Sequence, residues 1–184
     1  MTVDEVPLSG RTLILGPLQT GKTRLTAATL SRWVERHGSD GVVVLDLAPI
    51  IETDQGIIGG RLDRFLDVPE TSWYGSIDAR GPRSEADTPQ EQLNLAELNS
   101  IQTRDLLDRA PDDPTAVFVN DITLGLQFDP DLISEFIDYT AKARCVVLNA
   151  YEGDELRGDD PISANERTAI ERLRDWVDRT IELR

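Results

Sequence analysis

The chain is poor in cysteine, lysine, histidine, aromatic residues and long apolar runs. Its 184 residues hold one cysteine, one histidine and two lysines against 17 arginines, and aromatic residues make up 5%. A single cysteine cannot form an internal disulfide, and Cys145 lies in the apolar run Cys145-Val146-Val147-Leu148. That setting suits a small buried side chain better than a nucleophile. The lone His37 falls at the end of a helical pattern, where a dipole interaction accounts for it without catalysis. No run of eighteen apolar residues is present, and the opening MTVDEVPLSGR is acidic and lacks a basic-then-apolar leader. The expectation is a cytoplasmic protein with no membrane partner.

Positive charge is also short. The formal net charge of −15 excludes a broadly basic face, so general nucleic-acid binding is not expected. An acidic, lysine-poor surface resembles that of halophilic proteins, in which concentrated salt screens self-repulsion; an acidic protein of ordinary habitat is the other reading.

What the chain does have is alternation of short apolar runs with helical patterns. The runs are Thr12 to Gly16, Val42 to Leu47, Ala116 to Asn120 and Cys145 to Asn149, with Arg179 to Leu183 as a fifth. They show little period-two alternation, as expected of parallel strands covered on both faces. Helical spacing spans Lys22 to His37, with Gly38 as C-cap. Thr88-Pro89-Gln90-Glu91 reads as a capping box opening a helix to about Arg109, and Ser163-Ala164-Asn165-Glu166 as a second one opening a helix toward Asp178. A shorter helix fits Asp131 to Lys142. Trp33 and Trp176 fall on apolar helix faces and read as core. The expected fold is α/β, a single domain with a doubly wound, mostly parallel sheet of about five strands and helices on both faces. One long connection, residues 49–87, breaks the alternation and reads as a lid-like insert.

Directly behind the first apolar run stands Gly16-Pro17-Leu18-Gln19-Thr20-Gly21-Lys22-Thr23. It fits G-x-x-x-x-G-K-[ST] in the strand-to-helix setting that this loop requires. Such a loop wraps phosphates with backbone N–H groups, its lysine reaching the β/γ-phosphates and its threonine hydroxyl holding Mg²⁺. Gly16, Gln19, Thr20, Gly21, Lys22 and Thr23 are therefore the expected nucleotide-binding residues. Gly56 to Arg61 offers further backbone amides, and Arg61, Arg64, Arg80 and Arg83 are expected clamps for a second, phosphorylated substrate or parts of a lid. Trp73-Tyr74 reads as packing of the insert. The Gly- and Asp-rich stretch from Leu156 to Pro161 reads as a solvated turn.

These residues resemble the P-loop NTPase superfamily. Gly16 to Thr23 looks like its Walker A motif, and Val117-Phe118-Val119-Asn120-Asp121 like its Walker B, which implies that Asp121 orders Mg²⁺. Val42 to Pro49 resembles the second strand of the class containing signal-recognition GTPases, partition ATPases and polynucleotide kinases. That likeness implies that Asp46 faces the site as water-positioning residue, general base or indirect Mg²⁺ partner. Ile122 follows Asp121 where many motor ATPases carry a glutamate, and Pro17 replaces the second signature lysine of the partition ATPases. Asn149-Ala150-Tyr151-Glu152 is similar to the GTPase base-reading motif but lacks its lysine, so ATP is expected over GTP, with Asn149 bonding a purine edge and Tyr151 stacking on it. The expected function is Mg²⁺-dependent triphosphate binding with ATP hydrolysis or phosphoryl transfer as a small kinase. A nucleotide-operated switch for a protein partner and a non-catalytic nucleotide-binding subunit are the alternatives.

Overall fold

The computed structural model describes residues 6–53, 56–58, 60–154 and 158–184. In chain order the elements are β1 (Gly10–Gly16), α1 (Lys22–His37), β2 (Val42–Asp46), β3 (Ile51–Thr53), β4 (Gly56–Ile58), β5 (Trp73–Ser76), α2 (Pro82–Glu85), α3 (Pro89–Arg109), β6 (Ala116–Asn120), α4 (Ile122–Leu126), α5 (Leu132–Thr140), β7 (Cys145–Tyr151), α6 (Pro161–Trp176) and β8 (Arg179–Glu182). Six strands form one sheet in the order β5-β2-β6-β7-β1-β8, every pair parallel, while β3 and β4 form a separate antiparallel hairpin. The fold is α/β and doubly wound, with six strands rather than about five.

The near-continuous apolar strands bury both faces, and successive residues serve opposite layers. Leu13, Leu15, Val43, Leu45, Val117, Val119, Val146 and Leu148 join the layer packed by α3 to α6. Ile14, Val42, Val44, Phe118, Cys145 and Val147 join the layer packed by α1, where Trp33 is 1% exposed. Cys145 is buried as expected, and burial pushes its thiol up to about 11, which leaves it unreactive.

Local signals explain most helix ends. The Thr88 hydroxyl accepts from the Glu91 N–H, and the Glu91 carboxylate accepts from the Thr88 N–H, so the first capping box forms. The second does not: α6 begins at Pro161, three residues early, because the Asp160 carboxylate accepts from the Ser163 N–H. Glu166 is thereby released from capping and lies 2% exposed beneath the sheet end.

Part of the long connection is built into the sheet. Its Trp73–Ser76 segment returns to the sheet as edge strand β5 beside β2. Four residues containing a glycine gave too short a pattern to read, yet Gly75 fits because a Cβ there would lie 2.6 Å from a Leu106 methyl. Of the Gly56–Arg61 run, Gly59 lies outside the described residues, as do residues 155–157 of the expected solvated turn. Among the described residues no helix is long and apolar enough to cross a membrane.

Candidate functional site

Parallel order brings the carboxyl ends of β1, β2, β6 and β7 to one edge, where ligands of open α/β sheets bind. The Gly16–Thr23 loop caps that edge. At Gly16 a Cβ would come within 2.7 Å of the Leu183 carbonyl oxygen, so only glycine permits this close approach. Gly21, at φ 90°, turns the chain into α1 in a left-handed conformation. Gln19 is left-handed too, at φ 61°. The Thr20 hydroxyl donates to the Pro17 carbonyl at 2.9 Å and braces the turn.

The first turn of α1 holds no acidic residue and no side-chain cap. Its N–H groups and dipole thus present uncompensated positive potential to the loop. Lys22 folds back over this space: its Nζ donates to the Gly16 and Pro17 carbonyls at 2.8 and 2.6 Å and stands 5.8 Å from the Tyr151 ring centre. Burial lowers the Lys22 pKa, and attraction from Asp121 opposes the fall.

A polar network closes the floor. Asp46 is fully buried and accepts from the Leu62 N–H at 2.6 Å, the Tyr74 hydroxyl at 2.8 Å and the Asn120 amide at 2.8 Å. Burial raises its pKa despite those donors, and raises that of Tyr74. The Asn120 amide nitrogen also donates to Gly60 O, while its oxygen accepts from Thr23 Oγ1 at 3.1 Å and Asn149 Nδ2 at 2.9 Å. Asn149 donates further to Thr26 Oγ1 and accepts from the Asp121 N–H. Asp121 itself adopts φ 58° and ψ 56° at the β6–α4 junction. Its carboxylate accepts only a long bond from Thr123, at 3.3 Å. Burial pushes it up to about 6, against the pull of Lys22.

The group against the Thr23 hydroxyl is Asn120, and Asp121 lines the same cleft. Asp46 is enclosed by protein donors and reaches the cleft only through Asn120, so a direct role on water or nucleotide does not fit. Asn149 is 1% exposed with its amide engaged by Thr26, Asn120 and Asp121, which leaves nothing for a purine edge. Ala150 is a buried strand residue, and Tyr151 stands by Lys22 while lining both the phosphate cleft and the cavity past Pro17. Tyr74 is an anchor for Asp46 rather than mere packing.

The arginines do not converge either. Arg61 donates to Ile77 O, Arg80 pairs with Glu85 on the surface, and Arg83 pairs with Glu166 at 2.6 Å. Of the four, only Arg64 lines the cleft beside the loop, together with Lys22, Thr23, Gly60, Phe65, Asn120, Asp121 and Tyr151, around about 430 Å³. No sequence motif assigns Asn120 a role of its own; its signal is its place as the residue that ends the strand, in register with Asp46.

Two further cavities meet the cleft at Leu18 and Tyr151. One of about 840 Å³ runs past Pro17 to Glu152, Asp154, Arg167 and Arg174. The other, about 380 Å³, lies toward α2. No protein-family model matches the chain, and no curated protein sequence matches it.

Proposed function

We propose that the cleft binds a nucleoside triphosphate with Mg²⁺, ATP in preference to GTP, and that the protein acts on the γ-phosphate as a P-loop NTPase or small kinase. The observation that carries this reading is Lys22, whose ammonium group is folded onto the Gly16 and Pro17 carbonyls inside a loop of forced close approach. A partly buried cation held by loop carbonyls at a helix N-terminus is poised to exchange them for phosphate oxygens.

Among the described residues no group of three or more His, Cys, Asp or Glu could hold a metal ion. Mg²⁺ keeps waters and phosphate oxygens and takes few protein ligands. Thr23 would hold it through its hydroxyl, with the Asn120 oxygen turned toward the same group. The metal would neutralise charge developing on the β- and γ-phosphates. Asp121 faces Lys22 across the cleft and receives the proton of the attacking hydroxyl or water. Ribose and base extend into the cavity past Pro17, where the Arg174–Glu152 pair borders the wall.

One observation favours a second reading, a nucleotide-operated switch. Leu18, Ile50 and Phe65 are 59%, 51% and 49% exposed around the cleft mouth, an apolar rim suited to a protein partner whose access changes with the γ-phosphate.

Thermal unfolding in concentrated salt with Mg²⁺ tests the triphosphate reading. A nucleotide at a hundred times its Kd adds about 2.7 kcal/mol, a rise of roughly 5–10 °C for a chain of this size. ATP is expected to give that rise and GTP a smaller one. Lys22→Ala abolishes it while leaving the unliganded melting point within a few degrees, because the Lys22 hydrogen bonds among the described residues run to the Gly16 and Pro17 carbonyls of its own loop. A wild-type rise in that variant would reject the phosphate-loop assignment.

A further inference from the structure

We propose that the chamber between the phosphate cleft and α2, walled by Leu18, Pro49, Pro82, Leu124, Gln127 and Asp121, binds a small uncharged diol or polyol that accepts the γ-phosphate. The inference rests on the triphosphate reading above and names its acceptor.

The chamber holds about 380 Å³, within the range of small-molecule sites, and shares Leu18, Pro49, Asp121 and Tyr151 with the phosphate cleft. A ligand there lies against the same carboxylate that faces Lys22. The walls are mostly carbon, with a few polar groups that select the ligand. Gln127 is 3% exposed, and its Nε2 donates to Glu166 Oε1 at 2.8 Å. A carboxylate can only accept, which fixes the amide orientation and leaves Gln127 Oε1 buried with no partner among the described residues. An orphaned acceptor in a carbon-walled chamber calls for a donor on the ligand.

The wall charges disfavour an anion. Arg83 is neutralised by Glu166, which it meets at 2.6 Å while also donating to Ser163 Oγ at 3.1 Å. The walls themselves hold two carboxylates, Glu166 and Asp121, against the one guanidinium of Arg83, and Lys22 stands on the phosphate side of Asp121. A phosphorylated acceptor would be repelled, whereas hydroxyl groups satisfy both ends of the chamber. One hydroxyl donates to Gln127 Oε1; the other donates to Asp121. In the transfer step that second oxygen attacks the γ-phosphorus and its proton passes to the Asp121 carboxylate. The new O–P bond forms as the bridging bond to the β-phosphate breaks, giving a phosphomonoester and a nucleoside diphosphate.

Saturation-transfer NMR on the full chain, loaded with Mg²⁺ and a non-hydrolysable ATP analogue, tests the proposal with glycerol, ribose and trans-cyclohexane-1,2-diol, and with glycerol 3-phosphate as the anionic counterpart. Ser84→Trp fills the chamber from an exposed position on α2, and Gln127→Leu removes the orphaned acceptor. At least one uncharged probe is expected to bind the wild type, to lose its signal in Ser84→Trp and to weaken about tenfold in Gln127→Leu. The melting rise with nucleotide should stay unchanged in Ser84→Trp. The proposal is overturned if no uncharged probe binds, if glycerol 3-phosphate binds better, or if signals survive both substitutions while nucleotide still raises the melting point. Absence of that rise in the wild type rejects the triphosphate reading itself, and the acceptor assignment with it.

Discussion

Asn120→Asp is expected to lower the unfolding free energy by about 3 kcal/mol at neutral pH, and adding Asp46→Asn to recover more than half of that loss. Both side chains are fully buried, and the Asn120 amide donates to Asp46 at 2.8 Å. The single change removes that donor and places two carboxylates side by side. They cannot both ionise at such a distance, so one takes up a proton and donates in place of the lost amide. The folded-state pKa of that group therefore lies far above its unfolded value. Its protonated form supports the fold at low pH, and stability is lost as pH rises through the neutral range. Denaturant unfolding at pH 5 and pH 8 should show the defect growing with pH. In the double variant the amide introduced at position 46 donates to the carboxylate introduced at position 120, while the amide oxygen still accepts from Leu62 and Tyr74. Recovery stays incomplete because Gly60 O loses the donor that Asn120 supplied. Equal instability of single and double variants would show that the two positions are not coupled through this bond. The exchange also moves a formal charge beside the Thr23 hydroxyl, which should steepen the Mg²⁺ dependence of nucleotide binding.

This network marks where sequence reading stopped. The strands of the sheet interior were legible because their side chains are apolar without alternation, and α1 was legible from Lys22 to its Gly38 cap because period and punctuation agree. The phosphate loop carries its geometry in its glycines. Edge strand β5 was not legible, since Trp73-Tyr74-Gly75-Ser76 makes sense only beside β2. Glu166 reads as the second half of a capping box, but Asp160 and not Ser163 is the N-cap. Its partner Arg83 lies 83 residues away, a pairing that no local pattern encodes. Asp46 was legible as an acid at a strand end but not as a buried one, because burial depends on Leu62 and Tyr74 folding back over it. Local periodicity thus fixes elements and the loop, whereas the roles of polar residues at the strand ends are set by contacts distant in sequence.

Asp121→Asn should stabilise the unliganded protein by about 1–3 kcal/mol above pH 6 and lower turnover at least about a hundredfold. Burial lifts this carboxylate from 3.8 to about 6, with Glu166 and Asp46 adding to the rise and Lys22 and Thr123 opposing it. Raised folded pKa means that the folded state holds a proton which the unfolded state releases earlier. Stability therefore falls as pH climbs between 3.8 and about 6, and the cost is complete above that window. Asparagine has no charge to desolvate, so the fall across this window should flatten in the variant. The backbone contributes little to the comparison: at φ 58° and ψ 56° asparagine is tolerated as well as aspartate, and its oxygen still accepts from Thr123. A stabilised but inactive variant is the result expected of a carboxylate held in the cleft for chemistry at the expense of the fold. A destabilised variant would instead make Asp121 a structural group at the β6–α4 turn, and the proton acceptor in the cleft would have to be sought elsewhere.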